Sequence, residues 1–114
     1  MPTDQTPASP DLIATLVVSR TLAGDVGQRQ VYLELDGVRV ATLIDGQTFT
    51  TGISAGPHRL RFDNTLQKKT MEFTAVAGDR VEYRLANVAG RFGLPFLALM
   101  GVAPLFLKIE RVSQ

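Results

Sequence analysis

Residues 31–40, Val-Tyr-Leu-Glu-Leu-Asp-Gly-Val-Arg-Val, decide the fold of this chain. Apolar and polar side chains alternate on both sides of Asp36-Gly37, which is typical of two half-buried strands joined by a tight turn. Asp-Gly supplies the two positive-φ positions of a type I′ turn, and a two-residue loop fixes the register of its strands. The predicted facing pairs are Leu35 with Val38 and Leu33 with Val40 on the buried side, and Glu34 with Arg39 on the outer side.

The same alternation, bounded by Gly and Asp turns, recurs about every ten residues along most of the chain. No amphipathic helical stripe interrupts it before residue 90, so the chain is predicted to be all-β. Residues 58–63 and 68–76 predict a second hairpin, and the turn at 77–79 predicts a third. Their predicted facing pairs are Asp63 with Lys68, Arg59 with Glu72 and Leu60 with Met71 in the second, and Phe73 with Tyr83, Met71 with Leu85 and Glu72 with Arg84 in the third.

A chain of 114 residues has the usual length of one domain. The pattern predicts a single antiparallel two-sheet sandwich of about seven or eight strands over residues 11–114, immunoglobulin-like or prealbumin-like in type. Residues 1–10 are polar and rich in proline, which predicts a disordered arm. Pro95 and Gly101 predict a short helical turn, or an apolar loop, before the last strand.

Charge and composition remove several classes of function. Twelve Lys and Arg against eleven Asp and Glu give a net charge of +1, so no overall field would attract nucleic acid. The chain has no cysteine, which excludes disulfides, thiolate zinc sites and thiol nucleophiles. The first ten residues lack the basic start and apolar stretch of a secretory signal, and no segment is long enough to span a bilayer. We therefore expect a cytoplasmic protein.

The side chains that carry out chemistry are scattered in this sequence. His58 is the one histidine, and its alternation places it beside Leu60 and Phe62 on a predicted strand. We interpret it as a structural residue, because the spacing supplies no nucleophile for it. The aspartates fall singly in turns, and no Gly-rich loop leads from a strand into a helix. The prediction is therefore no enzyme, no metal and no cofactor; a pocket with two convergent carboxylates would revive the hypothesis of an enzyme.

Six basic residues lie on neighbouring predicted strands: Arg59, Arg61, Lys68, Lys69, Arg80 and Arg84. They would form a patch for nucleic acid or acidic lipid if nothing neutralised them. However, Asp63, Glu72 and Glu82 fall on or beside the same face, and no exposed aromatic side chains are interleaved for base stacking. We predict a solvated ladder of alternating charge and no nucleic-acid partner.

Residues 92–107 contain no charged side chain. The segment is shorter than the ~20 residues of a membrane-spanning helix, and two prolines interrupt it. Two interpretations stay open: it folds over the open end of the sandwich as core, or part of it stays exposed for self-association, a protein partner or the membrane interface. The candidate contact residues of the second interpretation are Leu94, Phe96, Leu97, Met100 and Phe106.

Two stretches resemble the PEGA-type repeats of bacterial and archaeal proteins. Residues 31–37 are similar to their hydrophobic-x-hydrophobic-Asp-Gly hairpin, and residues 55–62, Ala-Gly-Pro-His-Arg-Leu-Arg-Phe, to their Pro-Gly-x-His-x-hydrophobic strand start. The resemblance covers roughly residues 29–85, with Ser54-Ala55-Gly56-Pro57 in place of the Pro-Glu-Gly-Ala signature. It implies a small β-sandwich akin to carboxypeptidase-regulatory-like or prealbumin-like domains, and it implies no catalytic residues.

The apolar segment predicts a non-enzymatic β-sandwich interaction module that binds a protein partner or itself through residues 92–107. Two alternatives stay open. One is a ligand-binding domain of the kind that binds carbohydrate, although the chain has no Trp and its two tyrosines lie within predicted strands. The other is a peripheral domain at a membrane surface.

Overall fold

The structure, a computed structural model, describes residues 13–27, 29–89 and 105–112. These residues contain strands, turns and loops and no helix, so the all-β prediction is confirmed. The strands are β1 (Ile13–Ser19), β2 (Val31–Leu35), β3 (Val38–Leu43), β4 (Thr48–Ser54), β5 (Gly56–Asp63), β6 (Lys68–Ala75), β7 (Arg80–Ala89) and β8 (Leu105–Val112). The predicted arm at residues 1–10 and the predicted helical turn or apolar loop before the last strand lie outside the described residues.

The eight strands form two four-stranded sheets, as predicted for a two-sheet sandwich. The first sheet has the order β4-β1-β7-β8, and the second sheet has the order β3-β2-β5-β6. All neighbours in both sheets are antiparallel except β1 and β7, which run parallel. The prediction of a purely antiparallel sandwich is therefore wrong at this pair. A parallel pair needs a long crossover connection, and the strands of the second sheet together with β4 supply it.

The β2–β3 hairpin forms around the predicted turn, with φ of 52° at Asp36 and 86° at Gly37. The pairs of Leu35 with Val38 and of Glu34 with Arg39 are confirmed. A bulge between Leu33 and Glu34 then shifts the register by one residue, so that Leu33 faces Ala41 and the predicted pair with Val40 is wrong. Val38 is 64% exposed, so the prediction that it lies on the buried side is also wrong.

The β5–β6 hairpin has the predicted register at all three pairs. Its loop is closed by Asn64, whose Oδ1 accepts hydrogen bonds from the backbone N–H groups of Leu66 at 2.9 Å and Gln67 at 2.6 Å. A buried asparagine thus replaces the backbone acceptors that a shorter turn would provide.

The third predicted hairpin is wrong, because β6 belongs to the second sheet and β7 to the first. The turn before β7 is instead bonded to β1: Thr15 N–H donates to the Asp79 carbonyl at 2.8 Å, and Gly78 N–H donates to the Ile13 carbonyl at 2.9 Å. Phe73 and Tyr83 do meet, but across the core, with ring centroids 5.9 Å apart. Alternation predicts which side chains face inward without telling whether two of them share a sheet.

One hydrophobic core lies between the two sheets. Its members come from alternate positions of the strands, and the most deeply buried include Leu16, Val18, Val31, Leu33, Leu60, Phe62 and Leu85. The Phe62 and Tyr83 rings meet edge to face, with centroids 6.1 Å apart, and join the sheets at the centre of this core.

The connections gather at two ends of the sandwich. At the first, here called the Asn64 end, Gly46 N–H donates to the Arg20 carbonyl and Val26 N–H to the Asn87 carbonyl, at 2.9 and 3.0 Å. β7 finishes and β8 begins at this same end. At the other, here called the Asp36 end, Asp36 N–H donates to the Arg59 carbonyl at 2.8 Å.

Candidate functional site

The predicted contact segment reaches the described part of the chain at β8. Leu94, Phe96, Leu97 and Met100 lie outside the described residues, whereas Phe106 lies on β8 with 44% of its surface exposed. The next residue, Leu107, is 1% exposed and belongs to the core. Side chains alternate along this strand, because Phe106, Lys108 and Glu110 are exposed while Leu107 and Ile109 pack inward.

Phe106 lies on the outer face of the first sheet, on the strand that ends this sheet among the described residues. It pairs with Val88 of β7, and β8 has no described strand on its other side. Phe106 is thus a large, partly exposed aromatic ring next to residues that carry no charge.

Polar side chains hold the backbone in place beneath this surface. Asn64 Nδ2 donates to Asn87 Oδ1 at 3.0 Å, which joins the second sheet to the first through two side chains with no exposed surface. Gln67 Oε1 accepts the backbone N–H of Leu107 at 2.6 Å. Because these bonds join distant parts of the chain and are buried or half-buried, the start of β8 is fixed relative to the β5–β6 loop.

Arg20 is the largest side chain with less than 2% of its surface exposed. Its guanidinium makes a two-pronged contact with Asp25, with Nε–Oδ2 at 2.7 Å and Nη2–Oδ1 at 3.0 Å, and Nη1 donates to the carbonyls of Arg29 and Leu43. Burial alone would raise the pKa of the Asp25 carboxyl, but the Arg20 guanidinium and the Gly27 N–H outweigh it and lower that pKa. This cluster orders the β1–β2 connection.

A groove of about 800 Å³ opens at the Asp36 end, on the second sheet. Its charged lining comes from Glu34, Asp36, His58, Arg59, Arg61 and Glu72. Each carboxylate has a partner: Glu72 lies 2.9 Å from Arg59 Nη2, Glu34 lies 3.7 Å from Arg61 Nη1, and Asp36 accepts the Arg59 N–H at 2.8 Å. The groove therefore presents paired charges.

His58 lies between an aspartate and a serine in this groove. Its Nδ1 is 2.6 Å from Asp36 Oδ2, and its Nε2 is 2.7 Å from the Ser54 carbonyl oxygen and 3.4 Å from Ser54 Oγ. A carbonyl only accepts, so Nε2 must carry a proton and has no lone pair with which to activate the serine hydroxyl. The arrangement resembles a catalytic triad in residue types, but its hydrogen bonding is that of a structural link.

The electrostatics of the pair agree with a charged ring. Burial favours the neutral imidazole, but the Asp36 carboxylate and the Ser54 carbonyl outweigh it and raise the pKa of His58 above 6.5. The Arg59 N–H and the His58 ring lower the pKa of Asp36 below 3.8. At pH values between the pKa of Asp36 and the pKa of His58, the two side chains form an ion pair with a direct hydrogen bond.

The six basic residues of the predicted ladder do not share one face. Arg59, Arg61, Lys68 and Lys69 belong to β5 and β6, whereas Arg80 and Arg84 belong to the first sheet. The Arg80 and Arg84 guanidinium groups lie 3.3 and 3.7 Å from Glu82. The predicted position of Glu72 between two arginines is wrong, since among the described ion pairs it meets Arg59 alone. Arg39, which is not one of these six residues, stacks over the ring of Tyr32, 4.1 Å from the ring centroid.

Two structural features could not be found by reading the pattern. The contact of His58 with Asp36 joins residues 22 positions apart, and the turn chemistry of Asp-Gly already explained the aspartate. Arg20 follows an apolar strand and has no sequence mark of burial. In both cases the polar partner lies on a different element, and strand periodicity carries no information about such partners.

The described ranges contain no group of three or more His, Cys, Asp or Glu arranged to hold a metal ion. They also contain no helix of the length and apolarity needed to cross a bilayer.

No protein-family model, no curated protein and no solved structure matches this chain.

Proposed function

We propose that this chain is a non-enzymatic β-sandwich interaction module, and that it binds a protein partner or a second copy of itself through residues 92–107. The observation that carries the proposal is Phe106, 44% exposed on an edge strand where the uncharged segment joins the sandwich. Interfaces are enriched in such aromatic side chains and depleted of charge at their centres.

Strand order supports a prealbumin-like rather than an immunoglobulin-like type for this module. In immunoglobulin constant-type domains the first two strands share a sheet. Here β1 and β2 lie in different sheets, and β1 has β4 and β7 as neighbours.

A contact between the two PEGA-like stretches supports membership of that kind of sandwich. Asp36 comes from the Asp-Gly hairpin and His58 from the strand start, and the two side chains meet at 2.6 Å. The pair gives the resemblance a structural reason, because each stretch supplies one half of a link between the hairpin and β5.

The paired charges of the groove support a function other than catalysis. Three carboxylates line it, which is the arrangement that would indicate a general acid and base. Each of them is engaged by an arginine or by His58, and the His58 ring has no free lone pair facing Ser54. The charged side chains of this groove are therefore engaged by one another.

Crosslinking from position 106 tests the proposal. A photoreactive benzoyl-phenylalanine in place of Phe106 keeps an aromatic ring at a position that is 44% exposed, and irradiation of cells expressing this variant should link it to its partner. Val38, 64% exposed on the edge of the second sheet, is the matched control position. We expect an adduct of defined mass from position 106 and none from position 38.

Mass spectrometry of the adduct tells a second copy from another protein. Crosslinking to lipid alone would favour the alternative of a peripheral domain at a membrane surface. Equal or absent crosslinking at both positions would refute the proposal, provided that circular dichroism shows both variants to be folded.

Ligand binding in the groove is a second candidate function. Its volume of about 800 Å³ falls within the range of small-molecule sites, and Thr70 and Thr74 are among the residues that line it. A carbohydrate array read by melting temperature tests it. A shift that Thr70→Val abolishes would support this function, and no shift with any sugar would remove it.

A further inference from the structure

His58 lies at the corner where the chain passes from the first sheet to the second. β4 of the first sheet ends at Ser54 and β5 of the second begins at Gly56, so Ala55 alone connects the two strands. Gly56 has a φ of 121°, which a residue with a side chain rarely adopts. The bond between His58 Nε2 and the Ser54 carbonyl, at 2.7 Å, closes this corner and joins the two sheets.

Both nitrogens of the His58 ring face oxygen atoms that only accept hydrogen bonds. Nδ1 lies 2.6 Å from Oδ2 of the ionised Asp36, and Nε2 lies 2.7 Å from the Ser54 carbonyl oxygen. A ring with two protons donates to both oxygens, whereas a neutral ring has a single N–H. The Ser54 hydroxyl oxygen is 3.4 Å from Nε2, which is longer than the usual bond from a hydroxyl. Loss of one proton from the ring therefore breaks one of the two links.

The link to Asp36 is the one that a neutral ring keeps. A hydrogen bond to an ionised carboxylate is about twice as strong as a bond to a neutral carbonyl. Asp36 is also held beside the ring by β5, because its Oδ1 accepts the Arg59 N–H and its own N–H donates to the Arg59 carbonyl, both at 2.8 Å. The remaining proton therefore stays on Nδ1. Nε2 is left bare, and its lone pair repels the Ser54 carbonyl oxygen.

Asp36 is the charged group that contacts the imidazole among the described residues. β6 presents the uncharged ring of Phe73 to it, with centroids 5.6 Å apart, and β4 contains no charged residue. The other charged residues that line the groove form two pairs of opposite charge, Arg59 with Glu72 and Arg61 with Glu34. The position of the last proton on the ring is therefore set by Asp36.

We propose that His58 is a pH-operated latch between the two sheets: the doubly protonated ring joins Asp36 to the Ser54 carbonyl, and the neutral ring keeps Asp36 and releases Ser54. The release reaches the groove, because Pro57 and His58 line it next to the corner. Since the pKa of His58 is raised, the latch opens above pH 6.5. It is independent of the interaction function proposed for residues 92–107.

The tautomer of the neutral ring tests the latch. NMR of protein with isotope-labelled histidine tells a proton on Nδ1 from one on Nε2, and the chain has a single histidine. We expect the Nδ1 tautomer in about fivefold excess over the other, the ratio that a difference of one hydrogen bond gives. The carbonyl carbon resonance of Ser54 should shift with the same midpoint as the ring. The Gly56 amide should become more mobile in nuclear relaxation above that midpoint.

Two variants separate the Asp36 carboxylate from the rest of the groove. In Asp36→Asn the stronger acceptor is gone and the new amide can donate to a bare Nδ1, so the neutral ring should carry its proton on Nε2. The Ser54 carbonyl resonance should then no longer follow the titration. Glu72→Gln is the matched control, because it removes a carboxylate that lines the groove and pairs with Arg59. It should leave the tautomer of the ring unchanged.

Three results would overturn the proposal. The first is a neutral wild-type ring with its proton on Nε2, and the second is a Ser54 carbonyl resonance that stays constant through the titration. The third is a folded Asp36→Asn variant that behaves as the wild type does. If that variant does not fold, the two wild-type measurements decide. Crosslinking at position 106 does not depend on the ring, so the latch and the interaction function can fail separately.

Discussion

His58 connects three strands through one ring. It bonds Asp36 in the β2–β3 turn, bonds the Ser54 carbonyl at the end of β4, and stacks on Phe73 of β6 with centroids 5.6 Å apart. Its side chain is 8% exposed, so these contacts are partly shielded from water. The link depends on protonation, because a neutral ring would lose one of its two donors.

The pH dependence of stability follows from this link. The folded-state pKa of His58 is raised above 6.5, so its contribution is complete below the unfolded value and is lost as pH rises through the folded value. We expect the free energy of unfolding to fall by about 1 kcal/mol, the contribution of one such hydrogen bond, as pH rises from about 6 through the folded pKa of His58. Urea titrations measure this change, and NMR gives the pKa directly because the chain has a single histidine.

Two variants control this prediction. His58→Gln should remove the slope across that range, and Asp36→Asn should lower the pKa of His58 while keeping the positive φ that asparagine tolerates. At low pH the sign reverses: Asp36, whose pKa is lowered, stops contributing as pH falls through its folded value. A wild-type imidazole that titrates at or below 6.5 would contradict the prediction.

At the scale of elements, sequence and structure agree best where the interaction is local. The β2–β3 and β5–β6 hairpins were predictable because Asp36-Gly37 and the Asn64 loop join strands that are neighbours in both chain and space. The bulge at Leu33 escaped prediction, since alternation continues on both sides of it.

The turn at Gly37 offers a test of this local control. Gly37 has a φ of 86° and nothing within 4 Å of an added Cβ, so Gly37→Ala introduces backbone strain without a clash. We expect a loss of about 1–2 kcal/mol in the free energy of unfolding. Gly52→Ala is the matched control, because its φ is not positive and its Cβ would meet Ala14 O at 3.9 Å, an ordinary contact. Equal losses in both variants, measured by urea unfolding, would argue against strain at the turn.

At the scale of the whole molecule, the fold class was predictable from the sequence, but the strand order of the two sheets was not. Two sheets and a shared core follow from length and alternation. The assignment of β7 to the first sheet depends on bonds between the turn at residues 77–79 and β1, which are far apart in the chain. That residues 92–107 carry no charge is visible in the sequence. The partner of this segment is not, because the residues of a contact surface follow no regular spacing along the chain.

Arg20 holds the two sheets together at the Asn64 end. It follows β1 of the first sheet and donates to the Leu43 carbonyl of the second at 3.0 Å. Arg20→Leu leaves the Asp25 carboxylate, with 5% of its side chain exposed, without this guanidinium. We expect a loss of about 3–5 kcal/mol in the free energy of unfolding, measured by urea titration.

Two further variants define what that loss means. Arg59→Leu removes an exposed pair and should cost at most about 1 kcal/mol. Arg20→Leu combined with Asp25→Leu should recover part of the loss, because no carboxylate is left buried. If Arg20→Leu costs no more than Arg59→Leu, the buried pair does not hold the sheets.

The parallel pairing of β1 with β7 also sets the order in which the protein can be completed during synthesis. Leu16 pairs with Val81, and Val81 is synthesised after every strand of the second sheet. Until then β1 has β4 as its one partner, and its apolar side chains Leu16 and Val18 stay open to solvent or to a chaperone. Folding that depends on so distant a contact is slow, so nascent chains of this protein are expected to need protection for longer than those of a helical domain of equal length.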